Sequence, residues 1–132
     1  DLTLTHAPED YHPYHRALPL LLADIASFRF PILLADTQKG VGFMPEFYVD
    51  ITPYQQEKQA AIMAHESQEP HRFARAAEMM NSFRAAQCNA PDGHAAEAWR
   101  IDHRFPFTDI RQMLPPPPPL LLFYVRGSDA LI

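Results

Sequence analysis

Two histidines three residues apart, His12 and His15, are the residues of this sequence best suited to chemistry. They lie on either side of Pro13 and follow a short apolar run at residues 2–5. An imidazole is a common metal ligand and also gains or loses a proton near neutral pH. At the end of a strand, one imidazole can bind a metal ion while the other moves protons, so the pair predicts a hydrolytic metal centre. The alternative is a surface turn that enters a helix, because this spacing also arises by chance.

The elements on either side of the pair must position it. Short apolar runs typical of strands lie at residues 2–5, 30–35 and 47–51. Residues 17–28 predict a helix that begins close to Ala17, because Pro19 is tolerated only in a first turn. Its apolar residues recur near helical spacing and are expected to pack against a sheet: Leu18, Leu21, Leu22, Ile25 and Ala26.

A clear helix start follows the third of these strands. Thr52 can cap the helix, Pro53 suits its first position, and Gln55 can complete a capping box. The helix is expected to extend to about residue 69, with Lys58 among the residues suited to solvent. Its inward stripe is predicted to hold Tyr54, Ala61, Ile62 and His65.

The remaining pattern completes the prediction of fold class. Pro70 is expected to interrupt the chain before a helix at residues 73–88. Residues 95–101 could form a helix or a strand, because alanine content and period disagree, and a strand is favoured at 98–101. The inward positions of that helix are predicted to be Ala76, Met79, Met80 and Phe83. Strands that alternate with helices predict a layered α/β fold with a mainly parallel sheet. Sites in such folds lie beyond the carboxyl ends of strands, where the histidine turn is placed.

Composition narrows the class of protein and its partners. A net charge of −5 with only two lysines argues against nucleic-acid binding, which needs a concentrated basic face. The single cysteine, Cys88, cannot form an internal disulfide, so a reducing compartment is expected and the cytoplasm is the default. No apolar stretch approaches the roughly 20 residues that span a bilayer. The prolines at 115–119 are expected to form an extended arm, followed by an apolar run at 120–125 that could contact another subunit.

Other polar residues fit structural roles. His6 could approach the site, but a structural hydrogen bond is the favoured role, and Asp50 is expected to accept local backbone hydrogen bonds. Glu97 and Arg100 could form an ion pair. Three further histidines are expected at the surface: His71, His94 and His103.

Four segments, taken in order, carry a resemblance that covers nearly the whole chain. Residues 5–16 resemble a His-Pro-Asp-His metal motif, and residues 45–52 a Tyr-Val-Asp-Ile-Thr strand and cap. Residues 65–68 match a His-x-Ser-Gln signature, and residues 96–100 resemble an Ala-Glu-Ala-Phe-Arg stretch. These motifs belong to the PIG-L/LmbE-like family of zinc-dependent N-acetylglucosaminyl deacetylases, which the chain therefore resembles.

The resemblance implies a Rossmann-like fold, a zinc cofactor and hydrolysis of the acetamide of an N-acetylated sugar conjugate. It assigns His15 to the metal, His12 to proton donation or oxyanion stabilisation, and His65 to the lining of the pocket. Asp10 could orient a ligating imidazole through a hydrogen bond or could serve the turn. The resemblance also implies a homo-oligomer, since the family often forms trimers or hexamers.

Two departures from the family pattern shape the expectation. Tyr14 stands where the family usually has aspartate, which removes a carboxylate that could tune His12. The family's amino-terminal His-Pro-Asp-Asp motif is missing, and Asp1 leads almost directly into the first strand. The chain is therefore expected to be the carboxyl-terminal part of one such domain. Two other functions stay open: a hydratase on the same scaffold, and a non-catalytic remnant or assembly module.

Overall fold

The structure, a computed structural model, describes residues 2–26 and 29–102 of the chain. The expected proline arm at 115–119, the apolar run at 120–125 and His103 lie outside the described residues. The elements are β1 (Thr3–His6), α1 (Pro13–Ala26), β2 (Ile32–Ala35), β3 (Phe47–Asp50), α2 (Gln55–Met63), α3 (Pro70–Gln87) and β4 (Ala96–Ile101). Three short 3-10 turns lie at Gln38–Gly40, Thr52–Tyr54 and Glu66–Gln68.

The four strands form one sheet in the order β1-β2-β4-β3. β1 pairs with β2 in parallel, with His6 opposite Ala35. β4 lies between β2 and β3 and is antiparallel to both, with Leu34 opposite Arg100 on the β2 side. The α/β class is confirmed. The expectation of a mainly parallel sheet is wrong for the described strands, because the last of them enters between two earlier strands in the reverse direction.

The reversal of β4 determines which residues share an edge of the sheet. β1, β2 and β3 run in the same direction, so their carboxyl ends meet at the edge where β4 begins. His6 ends β1, Ala35 ends β2, and Asp50 at the end of β3 pairs with Ala96, the first residue of β4. Residues just beyond these strand ends are therefore held close together, as in other α/β sheets.

Helices cover both faces of the sheet. Ile32, Leu33 and Leu34 are all buried, which requires packing on both faces of β2 because successive side chains alternate. The face of Ile32 and Leu34 packs with α1, in a cluster completed by Ala7, Leu22, Ala23, Ala26, Phe30, Phe43, Tyr48 and Ala98. Glu97 points to the other face, where its carboxylate bonds Lys58 of α2.

Helix α1 begins earlier than predicted and presents a different side to the sheet. It starts at Pro13 rather than at Ala17, and it contains Pro19, which is buried within it. Pro19 falls on the same helical stripe as Leu22 and Ala26, so the ring contributes to the buried side. Three residues predicted to face the sheet are instead exposed: Leu18, Leu21 and Ile25.

Helices α2 and α3 also differ from prediction in their ends and in their inward sides. α2 ends at Met63, well short of residue 69, and α3 begins at Pro70, which suits a first helical position. The hydrophobic residues predicted to face inward are partly on the outside, because Tyr54, Met79 and Phe83 are exposed. The buried positions of α3 are instead Asn81, Arg84 and Ala85.

Thr52 does not cap the helix that follows it. Its hydroxyl donates to Oδ1 of Asp50 and accepts the backbone N–H of Ala95, so it ties the end of β3 to the start of β4. The first helical turn after β3 has no side-chain cap. The predicted capping box is therefore wrong, because a neighbouring strand competes for the same hydroxyl.

Candidate metal centre and adjoining cavity

Three side chains that can bind a metal meet at the carboxyl end of β1. His6 is the last residue of the strand, Asp10 closes the following turn, and His15 lies in the first turn of α1. One ligand atom from each lies within 4.8 Å of the others. The turn is fixed by the N–H of Asp10, which donates to the carbonyl of Ala7 at 3.1 Å. The strand and the helix therefore bring one carboxylate and two imidazoles to one place.

Asp10 is the central group of this cluster. The residue is only 4% exposed, and its Oδ1 accepts the backbone N–H of His12 at 2.8 Å. The same oxygen lies 3.2 Å from Nδ1 of His15. When Nδ1 carries the proton, Nε2 of His15 is left free as a ligand atom, which is the usual arrangement of carboxylate, histidine and metal. The geometry thus fits the predicted role of Asp10 in orienting His15.

His6 is the member of the cluster that the sequence pattern assigned to a structural role. Its ring stacks on that of His15, with centroids 3.9 Å apart and planes 8° from parallel. Burial lowers the pKa of His6, and repulsion from His15 and His12 lowers it further, against an opposing effect of Asp10. The neutral imidazole, the form that binds metals, is therefore favoured. The one sequence signal for this residue was its place at a predicted strand end.

His12 lies beside the cluster, with its ring centroid 4.7 Å from that of His15. Its Nδ1 accepts the backbone N–H of Tyr14 at 3.3 Å, so this imidazole caps the start of α1. In the neutral ring Nε2 then carries the proton and can donate a hydrogen bond. The side chain does not line the adjoining cavity, unlike those of His6 and His15. His12 and His15 are close together, as predicted, but their rings do not share one pocket wall.

The structure does not bring His65 to this site. α2 ends at Met63, and the N–H of His65 bonds the carbonyl of Ile62 as the chain leaves the helix. His65 is exposed and is absent from the lining of the cavity. Its expected place on an inward helical stripe is wrong, because the helix that would have carried it is shorter than predicted.

A cavity of about 410 Å³ adjoins the cluster and includes His6, Asp10 and His15 in its lining. Its volume falls within the usual range for small-molecule sites, roughly 300–1,000 Å³. Beyond the cluster, the wall is formed by the ends of β2 and β4 and by inward residues of α2 and α3. The residues that bear on its chemistry are Asp36, Lys58, Asn81, Arg84, Glu97 and Trp99.

Paired charges form much of the polar wall. Arg84, whose side chain is 4% exposed, donates through Nε and Nη2 to the two oxygens of Asp36, at 2.6 and 3.0 Å. Lys58 donates to Oε1 of Glu97 at 2.7 Å and to Oδ1 of Asn81 at 3.0 Å. Lys58 was predicted to face solvent and instead joins the wall. The helical pattern of the sequence places Lys58 on the side of α2 suited to solvent, so it did not predict this inward position.

Glu97 and Arg100, predicted as a possible pair, have different partners. Arg100 binds both oxygens of Glu9 at 2.8 and 3.0 Å, because alternate residues of β4 point to opposite faces. Asp50 accepts local hydrogen bonds as expected, and the hydroxyl of Thr52 lowers the pKa of its carboxyl. His94 is half-buried rather than fully at the surface, with Nδ1 3.4 Å from Oδ2 of Asp50.

In comparisons with known proteins, no protein-family model, no curated protein and no solved structure matched the chain. Among the described helices, none combines the length and apolar character required to cross a membrane.

Proposed function

We propose that this chain carries part of a zinc-dependent amide hydrolase that removes the acetyl group from an N-acetylated sugar conjugate. The observation that carries the proposal is the convergence of His6, Asp10 and His15 at a strand end beside a cavity of ligand size. The four sequence motifs that resemble the PIG-L/LmbE-like deacetylases supply the reaction class. A Rossmann-like arrangement of the complete domain belongs to the same proposal.

The donor set fits zinc. Two imidazoles and a carboxylate are a common set of three protein ligands in catalytic zinc sites, which leave a further position for water. In a tetrahedral site with bonds of about 2.1 Å, ligand atoms lie about 3.4 Å apart. If Asp10 binds the metal together with Nδ1 of His15, their two ligand atoms are already 3.2 Å apart, and side-chain rotation has to close only the wider spacings, which reach 4.8 Å.

His6 and His15 would hold the metal through ring nitrogens. Asp10 would either provide a carboxylate oxygen or fix His15 through the hydrogen bond to Nδ1. A bound zinc ion supplies an acidified water and a Lewis acid for the acetamide carbonyl. The lowered pKa of His6 favours the neutral ligand form, so a proton competes less with the metal for the ring nitrogen.

His12 would stabilise the oxyanion that forms at the acetamide carbonyl. Because its Nδ1 accepts the N–H of Tyr14, the neutral ring presents an N–H at Nε2, which can donate a hydrogen bond to that oxygen. Protonation of the departing amine is the alternative role, and it would require the imidazolium, whose Nδ1 carries a proton and no longer accepts the N–H of Tyr14. Tyr14 is exposed, and its side chain takes no part in either role.

Zinc binding tests the proposal directly. The 132-residue chain, purified without chelator, is expected to hold zinc at a stoichiometry near one, measured by elemental analysis and by calorimetric titration of the stripped protein. Asp10→Asn is expected to weaken zinc binding by about 10–100-fold, as for other groups that orient a ligand. His6→Ala and His15→Ala are expected to weaken zinc binding further, because each removes a ligand atom.

His71→Ala is the matched control, because His71 is an exposed histidine outside the cluster. The metal proposal fails if the wild-type chain binds no zinc, or if His71→Ala weakens binding as much as His15→Ala does. Release of acetate from N-acetylated sugar conjugates, in a complete zinc-loaded protein, separates the deacetylase from a hydratase on the same scaffold.

A further inference from the structure

We propose that Lys58, Asn81 and Glu97 form a subsite for the hydroxyl groups of a neutral sugar or polyol in the cavity beside the cluster. The inference deepens the proposed function and rests on it for the reaction, but the binding it describes needs no metal. It assigns a role to three residues for which the sequence pattern indicated no chemistry.

The three side chains come from three different elements and are already joined to one another. Lys58 lies on α2, Asn81 on α3 and Glu97 on β4, and Nζ of Lys58 bonds both of the other two. All three line the cavity. A group built in this way is ordered before a ligand arrives, so less conformational entropy is lost on binding.

The remaining hydrogen-bonding capacity of the group is mixed. An ammonium has three N–H donors, and Lys58 uses two of them on Asn81 and Glu97, which leaves one. Asn81 is 8% exposed, and within residues 2–26 and 29–102 its Nδ2 donates to no protein acceptor. In the same part of the chain, Oε2 of Glu97 accepts from no protein donor. The group therefore offers donors and an acceptor side by side.

A hydroxyl group both donates and accepts a hydrogen bond, so it can satisfy a donor and an acceptor at once. A carboxylate only accepts, and either a carboxylate or a phosphate would place a like charge against Oε2 of Glu97. Hydroxyl-bearing ligands match this set better than anions do.

The net charge of the cavity wall favours the same class of ligand, a neutral one with hydroxyl groups. The lining contains three cations, Lys39, Lys58 and Arg84, and three carboxylates, Asp10, Asp36 and Glu97, a formal sum of zero with neutral histidines. Apolar side chains complete the wall: Ile62, Phe73, Met80 and Trp99. A neutral ligand with apolar C–H faces and polar edges, such as a sugar ring, fits this mixture.

The test measures sugar binding in the presence of a chelator. N-acetylglucosamine, analogues that each lack one hydroxyl, and inorganic phosphate are titrated into the full chain, followed by NMR chemical shifts. Glu97→Gln keeps the shape and the acceptor for Lys58 but replaces the free acceptor by a donor. We expect it to weaken N-acetylglucosamine binding about tenfold, with Lys58→Met at least as severe.

The pattern across ligands is the sharper readout. One deoxy analogue is expected to bind the wild-type chain about tenfold more weakly and to lose nothing further in Glu97→Gln, because the partner is already gone. Glu57→Gln, an exposed change one residue before Lys58, is the matched control and is expected to bind like wild type. Circular dichroism checks that each variant is folded.

Three results would overturn the subsite: no sugar binding by the wild-type chain, binding unaffected by Glu97→Gln and Lys58→Met, or preference for phosphate. Sugar binding without any zinc affinity would keep the subsite and overturn the hydrolase. Zinc affinity without sugar binding would overturn the subsite and keep the hydrolase, so the two failures are distinguishable.

Discussion

Removal of the Arg84 guanidinium is the perturbation for which the structure makes the clearest prediction. Arg84 joins α3 to the end of β2 through both oxygens of Asp36, and its Nη1 also donates to Gln87. Arg84→Met keeps most of the apolar stem and removes the charge. Asp36 would then keep its negative charge beside the cavity without the partner that balances it.

The expected cost follows from the burial of the pair. Loss of one partner from a fully buried ion pair costs about 3–5 kcal/mol. The side chain of Arg84 is 4% exposed but that of Asp36 is 17% exposed, so solvent can stabilise part of the stranded charge. We therefore expect Arg84→Met to lower the free energy of unfolding by about 2–4 kcal/mol. Urea denaturation followed by fluorescence of Trp99, the single tryptophan, measures this value.

Two further variants make the measurement decisive. Arg75→Met changes an exposed arginine of the same helix and is expected to stay within about 0.5 kcal/mol of wild type. Addition of Asp36→Leu to Arg84→Met is expected to recover at least half of the loss, because no charge is then left unpaired. A loss below about 1 kcal/mol for Arg84→Met, or no recovery in the double variant, would refute the reasoning.

Three more changes test the backbone and the strand ends. Gly40 has φ +68°, and a Cβ there would lie 2.8 Å from Nη2 of Arg84, so Gly40→Ala is expected to cost about 1–3 kcal/mol in thermal or urea unfolding. Pro19→Ala is expected to raise the free energy of unfolding by about 1 kcal/mol, because the restored helical N–H outweighs both the freer unfolded chain and the lost burial of the ring. The hydroxyl of Thr52 lowers the pKa of Asp50, so the stabilisation is present above pH 3.8 and is lost as pH falls through the lowered pKa. Asp50→Asn is therefore expected to be less stable than wild type at neutral pH, with a difference that disappears in acid unfolding titrations.

Strands were the most predictable elements because three of the four described strands lie in short apolar runs, whereas β4 could be favoured over a helix only narrowly. The observed β2, Ile32–Ala35, lies inside the predicted run at 30–35, and β3 differs from prediction by one residue. The pairing and direction of the strands were not predictable from these runs. Which strands pair, and that β4 runs against its neighbours, depends on contacts between distant residues that leave no local pattern.

Helix faces were less predictable, and the reason is physical. Hydrophobic periodicity assumes that the inward side of a helix is apolar. In α2 and α3 the inward side borders a cavity with polar and apolar walls. The predicted inward residues Ile62, Ala76 and Met80 do line it, but Lys58, Asn81 and Arg84 face it as well, while Met79 and Phe83 are exposed. Where a helix lines a site rather than a core, polar residues also face inward, and the apolar stripe identifies the inward side only in part.

The candidate site was only partly predictable, because some of its residues are close in the sequence and others meet only in the folded chain. His15 and Asp10 could be found because they lie within five residues of each other in one turn. His6 joins them through the end of β1, which a predicted strand end hints at but does not establish. Lys58 and Glu97 meet across the fold, and no spacing in the sequence connects them.

The central place of β4 in the sheet also has a consequence for synthesis of the chain. Within residues 2–26 and 29–102, β2 and β3 are not neighbours in the sheet and are joined through residues 96–101, which leave the ribosome after both. Until then each presents an unpaired edge that can capture a strand of another nascent chain. A stop codon placed before Ala96 should therefore yield an aggregating product rather than a smaller stable domain, and overexpression should demand slow translation or chaperone support.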